Sequence, residues 1–137
     1  MPYDLSKPLV IGISSRALFN LEQENKIFEE QGVEAYEAYQ VAHENENIQK
    51  GAAFQLIKAF LELNNTELGR LVEVIIMSRN NANTCLRIFN SIQYYGLDIT
   101  RATLTSGAEI APYLKAFKTD LFLSANSDDV QSAINDG

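Results

Sequence analysis

Apolar and polar positions along this chain fall into blocks that predict strands and helices in turn. Four short apolar runs, rich in β-branched residues, are typical of strands buried on both faces of a parallel sheet. The first run is predicted to be central in the sheet, and the segments between the runs carry apolar residues at helical spacing. This order predicts an α/β domain built as a three-layer sandwich around a mostly parallel sheet. The predicted strands cover residues 9–13, 73–77, 102–105 and 121–123.

Helix boundaries are predicted from capping residues and from glycine. Gly32 is expected to end one helix and begin the next, because glycine readily adopts the backbone conformation of a helix end. Asn83 or Thr84 is predicted to cap the helix of the second half, and Ser127 the last helix. The predicted helices cover residues 21–46, as a pair, and then 52–63, 85–95, 110–117 and a segment after 127.

A long helical segment separates the first two predicted strands. About 60 residues lie between them, whereas a βαβ crossover needs only one helix. The surplus, about residues 21–49, follows a strand end directly, where inserted lids are often found. Two interpretations stay open: a cap-like insert that covers a site, or a helical pair packed on the flank of the sheet.

Composition restricts the number of domains, the partners and the cellular compartment that we expect for the protein. Its 137 residues fit one domain. The net charge of −7 argues against non-specific binding to nucleic acid or to an anionic membrane. No apolar stretch approaches the roughly 20 residues of a membrane span, and the first residues lack the apolar core of a signal peptide. A single cysteine, Cys85, fits a reducing compartment. We therefore expect a cytoplasmic location.

Serines stand at or just after the ends of the predicted strands. Ligands of open parallel sheets bind beyond the carboxyl ends of the strands, so these serines are expected to line a common site. Hydroxyls and backbone amides suit a phosphate or another small anion. They do not by themselves break a phosphate ester, because a serine hydroxyl is a weak nucleophile without a neighbouring base. The serines are Ser14, Ser78, Ser106 and Ser124.

Several polar neighbours of these serines are further candidates for ligand contact. Ser15 and Arg16 follow Ser14, and Arg79 and Asn80 follow Ser78. Arg16 could bind a phosphate through two parallel hydrogen bonds, or it could neutralise acidic residues of the insert. Arg79 and Asn80 could contact the ligand or serve only as loop and capping residues.

Long stretches of the chain resemble one known family. They are VIGISSRALFNLEQENKIFEEQGVEAYEAYQ, IIMSRNN, NSIQYYGLDITRATLTSG and YLKAFKTDLFLSAN. From Leu9 to Gly137 the chain is similar to the amino-terminal half of the cytosolic 5′-nucleotidase type I family. The resemblance implies a haloacid dehalogenase-like fold with a Rossmann-like sheet. It also implies magnesium-dependent hydrolysis of nucleoside monophosphates to nucleosides and phosphate, in a longer protein with a second, catalytic half.

The resemblance also assigns roles position by position. In this superfamily the first strand usually ends in two aspartates, a nucleophile and a proton donor, and here Ser14 and Arg16 hold those positions. Ser78 matches a hydroxyl that binds the phosphate. Lys115 matches a lysine that neutralises the charge of the phosphoryl group. The resemblance therefore implies that phosphate-binding positions are kept, whereas the catalytic aspartates are not.

Magnesium ligands are expected to be missing as well. Mg²⁺ takes oxygen ligands, usually with one or two carboxylates, but Ser124 stands where the superfamily has a metal-binding aspartate. Asp128 and Asp129 lie a few residues beyond and suit either helix capping or metal contact. The resemblance thus implies one degenerate domain over residues 1–137 that depends on the catalytic half for its carboxylates. Two alternatives remain: a free-standing phosphate- or nucleotide-binding module, and a purely structural or dimerisation domain that forms a homo-oligomer.

Overall fold

The sheet of this protein is entirely parallel and has four strands in the order β3-β2-β1-β4. The computed structural model describes residues 8–67, 69–80 and 84–135. β1 pairs with both β2 and β4, which confirms its predicted central position. The observed bounds lie within one residue of the predicted ones. The strands are β1 (Leu9–Ile13), β2 (Val72–Ser78), β3 (Arg101–Leu104) and β4 (Leu121–Leu123).

Helices follow each strand and cover both faces of the sheet. The predicted α/β sandwich with a Rossmann-like parallel sheet is thereby confirmed. A short 3-10 turn, Leu63–Asn65, follows the fourth helix. The helices are α1 (Ser15–Leu18), α2 (Glu22–Gln31), α3 (Val33–Ala42), α4 (Phe54–Glu62), α5 (Leu86–Tyr94), α6 (Ala111–Ala116) and α7 (Ser127–Asn135).

Two apolar cores, one on each face, hold the layers together. All seven residues of β2 are buried, and successive side chains of a strand point to opposite faces. Val74 and Ile76 therefore join the larger core, whereas Ile75 and Met77 join the smaller one. The larger core includes Ile57 of α4, Ile88 and Ile92 of α5, and Cys85. The smaller core includes Val10 and Ile110.

Two of the predicted helix caps are wrong. Ser127 is the first residue of α7, and the cap is Asn126, whose Oδ1 accepts hydrogen bonds from the amides of Asp128 (2.9 Å) and Asp129 (3.2 Å). Thr84 is not a cap either, since α5 begins at Leu86 after a residue whose side chain makes no capping bond. Asn83, the alternative cap, lies outside the described residues.

The predicted insert consists of α2 and α3, which pack against each other. Gly32 separates them as expected, with a φ of 91° that side-chain-bearing residues rarely adopt. The buried face predicted for these helices is observed only in part: Leu21 and Gln40 are buried as predicted, but the large apolar residues Phe28 and Val33 are not. Phe28 is 45% exposed and Val33 is 54% exposed, whereas the buried residues of the two helices are Glu24 and Gln40. The insert is therefore not docked through an apolar face.

The insert leaves and rejoins the domain at one place. The amide of Asn20 donates to the carbonyl of Gln49 (2.8 Å), and the amide of Gly51 donates to the carbonyl of Leu18 (2.9 Å). Phe19 and Lys50 also form an isolated antiparallel bridge. Within the described residues, no helix combines the length and the apolar character that crossing a bilayer requires.

Candidate functional site

The carboxyl ends of the strands meet at a cavity of about 400 Å³. Its floor carries the predicted serines, and α2 and α3 form the opposite wall. The predicted gathering of these side chains at one edge of the sheet is confirmed. Residues of α2 and α3 line the cavity beside the strand ends. The strand-end residues that line the cavity are Ser14, Ser78, Ser106 and Ser124, together with Ser15, Arg16, Arg79 and Asn80.

The hydroxyl groups of the floor are held by backbone amides. Ser14 Oγ accepts from the amides of Ala17 (3.2 Å) and Ala125 (3.4 Å). Ser78 Oγ accepts from the amide of Asn80 (3.1 Å) and lies 3.4 Å from Ser15 Oγ. A hydroxyl that accepts such bonds still has its own proton to donate. The floor can therefore offer hydroxyl donors to a ligand oxygen.

The loop after β3 is fixed to the loop after β2. Ser106 and Gly107 both have positive φ, 52° and 93°. Their amides donate to the carbonyls of Asn80 (3.3 Å) and Arg79 (2.8 Å). These two amides are thus engaged within the protein, and the loop supplies the shape of the cavity.

Arg79 spans the cavity to α7, where it forms an ion pair with Asp129. Both Nε (3.1 Å) and Nη2 of Arg79 donate to Asp129 Oδ1. Asp129 is only 5% exposed. Fifty positions separate the two residues in sequence, so nothing in the local pattern indicates the pair. The signal that could have found it is that both residues follow the carboxyl ends of parallel strands.

Arg16 is less completely engaged than Arg79. Its nearest carboxylate is Glu22 of α2, at 4.0 Å from Nη2, and the Glu22 side chain is 80% exposed. Such solvent-exposed ion pairs contribute little to the stability of a protein. Among the described residues, Arg16 Nε is buried and has no hydrogen-bond partner. Arg16 is therefore a cavity-lining cation whose ion pair is with an exposed carboxylate, and a ligand would have to use its Nη groups because Nε is buried.

Tyr36 of the insert contacts one of the candidate residues. Its hydroxyl donates to Asn80 Oδ1 (2.6 Å) and accepts from Gln40 Nε2 (3.3 Å). The Tyr36 ring also packs edge-on against Phe28, with centroids 5.9 Å apart. The side chain of Asn80 is therefore held by the insert wall of the cavity.

A buried arginine of α5, Arg87, docks the insert. Nη1 of Arg87 donates to Glu24 Oε1 (2.7 Å) and to Gln40 Oε1 (3.1 Å), and its Nε donates to the carbonyl of Glu46 (3.0 Å). The side chains of Arg87 and Glu24 are 7% and 6% exposed. We call Arg87, Glu24 and Gln40 the Arg87 clasp. Sequence reasoning missed it, because Arg87 lies outside the apolar stripe of α5 and no local pattern marks it as buried.

The raised pKa of Tyr36 predicts how the free energy of unfolding depends on pH. Burial, with a smaller effect of the Glu24 charge, raises this pKa above its ordinary value of 10.0. The folded state therefore holds the proton more tightly than the unfolded state, and the free energy of unfolding falls as pH rises above 10. Tyr36→Phe should remove this part of the decline in urea denaturation series at increasing pH. Tyr94→Phe, at an exposed residue, is the control, and identical curves for Tyr36→Phe and the wild type would contradict the prediction.

Comparison with known proteins decides the family. The 5′-nucleotidase family model matches residues 1–137. The chain belongs to the 5′-nucleotidase family. It is 39% identical over 136 residues to cytosolic 5′-nucleotidase 1B from Homo sapiens, a match that covers 94% of this chain and 22% of that relative. The chain thus spans about a fifth of the length of the curated relative. No solved structure matches it.

Two candidate residues of this 5′-nucleotidase-family chain are not brought to the cavity. Lys115 on α6 and Asp128 on α7 are exposed, and neither is among the described residues that line it. Asn81, the third residue after Ser78, lies outside the described part. Cys85 is in the larger core, and burial raises the pKa of its thiol.

The residues of the cavity do not fit a magnesium ion. Across residues 8–67, 69–80 and 84–135, no three acidic, histidine or cysteine side chains cluster as a metal site would require. Three acidic side chains of the described residues line the cavity: Glu24 and Asp129 each form an ion pair with an arginine, and Glu37 lies on α3 of the insert. Ser124 Oγ accepts from the amide of Asn126 (3.0 Å) and brings no charge. The donors present suit an anion better than a cation.

Proposed function

We propose that this chain is the phosphate- and nucleotide-binding domain of a magnesium-dependent cytoplasmic 5′-nucleotidase that hydrolyses nucleoside monophosphates. In this proposal residues 1–137 are a single degenerate haloacid dehalogenase-like domain, and residues 21–49 are its cap. The observation that carries it is the cavity at the strand ends, with hydroxyls on its floor and Arg16 beside them. Ser14, Ser15, Ser78 and Asn80 would surround the phosphate.

The proposal assigns binding and not bond cleavage to these residues. Nucleophilic attack needs a hydroxyl activated by a neighbouring base. In the part of the chain that the structure describes, the contacts of Ser14 Oγ are with backbone amides. His43 is engaged elsewhere, with the carbonyl of Tyr39 (2.8 Å) and with Glu46 (3.8 Å). A phosphate held on this floor would therefore keep its ester bond.

The carboxylates that hold magnesium are proposed to come from outside this chain, in the catalytic half. Magnesium would supply charge neutralisation on the phosphate there. Since no three acidic, histidine or cysteine side chains cluster among the described residues, and Glu24 and Asp129 form ion pairs with arginines, we derive no step through the metal. This division makes the catalytic half the main partner of the domain.

Calorimetric titration of the chain with orthophosphate and with nucleoside monophosphates tests the proposal. Both should bind without turnover. Arg16→Met should weaken binding at least about tenfold, because it removes charge-assisted hydrogen bonds to the phosphate. Lys58→Met is the matched control, since Lys58 is an exposed cation of α4 that does not line the cavity.

Two other results would redirect the assignment. Magnesium-dependent release of phosphate by this chain, abolished by Ser14→Ala, would contradict the absence of catalytic groups. Absence of any binding, together with an unchanged Lys115→Ala variant, would favour a structural or dimerisation role. Sedimentation of the same samples would then show whether the chain forms a homo-oligomer.

A further inference from the structure

One side of the cavity already contains an anion that belongs to the protein. Asp129 Oδ1 accepts from two nitrogens of Arg79, and the Asp129 side chain is 7% exposed. Arg79 and Asp129 both line the cavity. A carboxylate tethered this close has a high effective concentration relative to any dissolved anion. Asp129 occupies the Nε donor and one Nη2 donor of Arg79, so a ligand phosphate that is to bind this pair of donors must displace it.

The amides at the start of α7 are satisfied in the same way. Asn126 Oδ1 accepts from the amides of Asp128 and Asp129, which are groups that would otherwise attract an anion. Both attractive elements on the α7 side, the guanidinium and the helix start, therefore have internal acceptors. A ligand anion therefore gains little binding free energy on the α7 side of the cavity.

The opposite side of the cavity differs in this respect. Within the described ranges, Arg16 Nε is buried and has no hydrogen-bond partner. Its one carboxylate neighbour, Glu22, is 4.0 Å away and exposed to solvent. An anion would bind the Nη groups of Arg16, because Nε is buried, and it would displace no buried carboxylate there.

We propose that Asp129 determines where an anion binds, by occupying Arg79 and so directing the ligand phosphate to the Arg16 side. The inference rests on the proposed function, because it concerns the same cavity. It assigns to Asp129 neither a metal nor a catalytic role. It also implies that Arg79 becomes an anion-binding residue once the Asp129 charge is removed.

Titration of Asp129→Asn with orthophosphate tests this inference. The variant keeps the shape of the side chain and removes its charge, so a phosphate has only a neutral amide oxygen to displace from Arg79 and should bind at least about tenfold more tightly than to the wild type. Asp128→Asn is the matched control: it makes the same change of net charge at the neighbouring residue, which is exposed and does not line the cavity. Its affinity for phosphate should stay within about twofold of the wild type, since exposed charges are screened.

A double variant shows whether a gain arises from Arg79. Adding Arg79→Met to Asp129→Asn should return the affinity to that of the wild type or below it. If Asp129→Asn does not fold, Asp129→Ser provides the same test, because it also removes the carboxylate and keeps a short polar group. Circular dichroism of each variant establishes folding before titration.

The possible results separate this inference from the proposed function. If the wild type and a folded Asp129→Asn bind phosphate equally, the inference is overturned and the proposed function stands. A gain that persists in the double variant also overturns it. If only Asp129→Asn binds, Asp129 blocks Arg79 but directs no phosphate to Arg16, so the inference and phosphate binding by the wild type both fail. If neither binds, both fail.

Discussion

Replacing Arg87 with methionine is expected to lower the free energy of unfolding by about 3–5 kcal/mol, the range for breaking a buried ion pair. The change leaves the Glu24 carboxylate, 6% exposed in the folded protein, without its cation. It also removes the hydrogen bonds from Arg87 to Gln40 and to the carbonyl of Glu46. Urea denaturation followed by circular dichroism measures the loss.

Two companion variants make the Arg87 prediction specific. Glu22→Gln, two residues from Glu24 but 80% exposed, should change stability little. Combining Arg87→Met with Glu24→Met should restore much of the stability, because an apolar pair does not require a buried charge to be compensated. An Arg87→Met protein as stable as the wild type would show that the clasp does not dock the insert.

Replacing Gly51 with alanine is expected to destabilise the fold by about 3 kcal/mol, the upper end of the usual cost of overpacking. A methyl group at this position would lie 2.7 Å from the carbonyl carbon of Phe19 and 2.8 Å from that of Leu18. These are backbone atoms, so no side chain can rotate away to make room. Thermal and urea unfolding should both shift.

The neighbouring residue provides the control for Gly51. Ala52→Ser changes an exposed side chain by one oxygen and should leave the unfolding midpoint close to that of the wild type. A Gly51→Ala protein with wild-type stability would contradict the prediction. It would mean that the chain at Gly51 can move away from Leu18 and Phe19 at little cost in free energy.

The sheet could be predicted from the sequence because parallel strands buried on both faces form continuous apolar runs. β1 and β4 have the predicted bounds, and β2 and β3 differ from theirs by one residue. The edge that carries the cavity followed from the same runs, since each ends close to a serine. The predictions of the strands and of this edge depend on the short-range pattern of the sequence alone.

The docking of the insert could not be predicted in that way. Helical periodicity locates apolar faces, but Glu24 and Gln40 are buried because a distant arginine bonds to them. The predicted cap of α7 was wrong for a related reason. Asn126 and Ser127 are both good capping residues, and only the backbone geometry decides between them. The Arg79–Asp129 pair likewise depends on strand order, which single-sequence patterns do not contain.

The closure of the insert at Asn20 and Gln49 has a consequence for how this region can vary. Because the two ends are bonded to each other, the sheet is insensitive to the length of chain between them, and the entropy of closing such an excursion rises only slowly with length. Segments of different size and sequence can therefore occupy this place without altering strand register. The wall of the cavity can diversify while its floor stays unchanged.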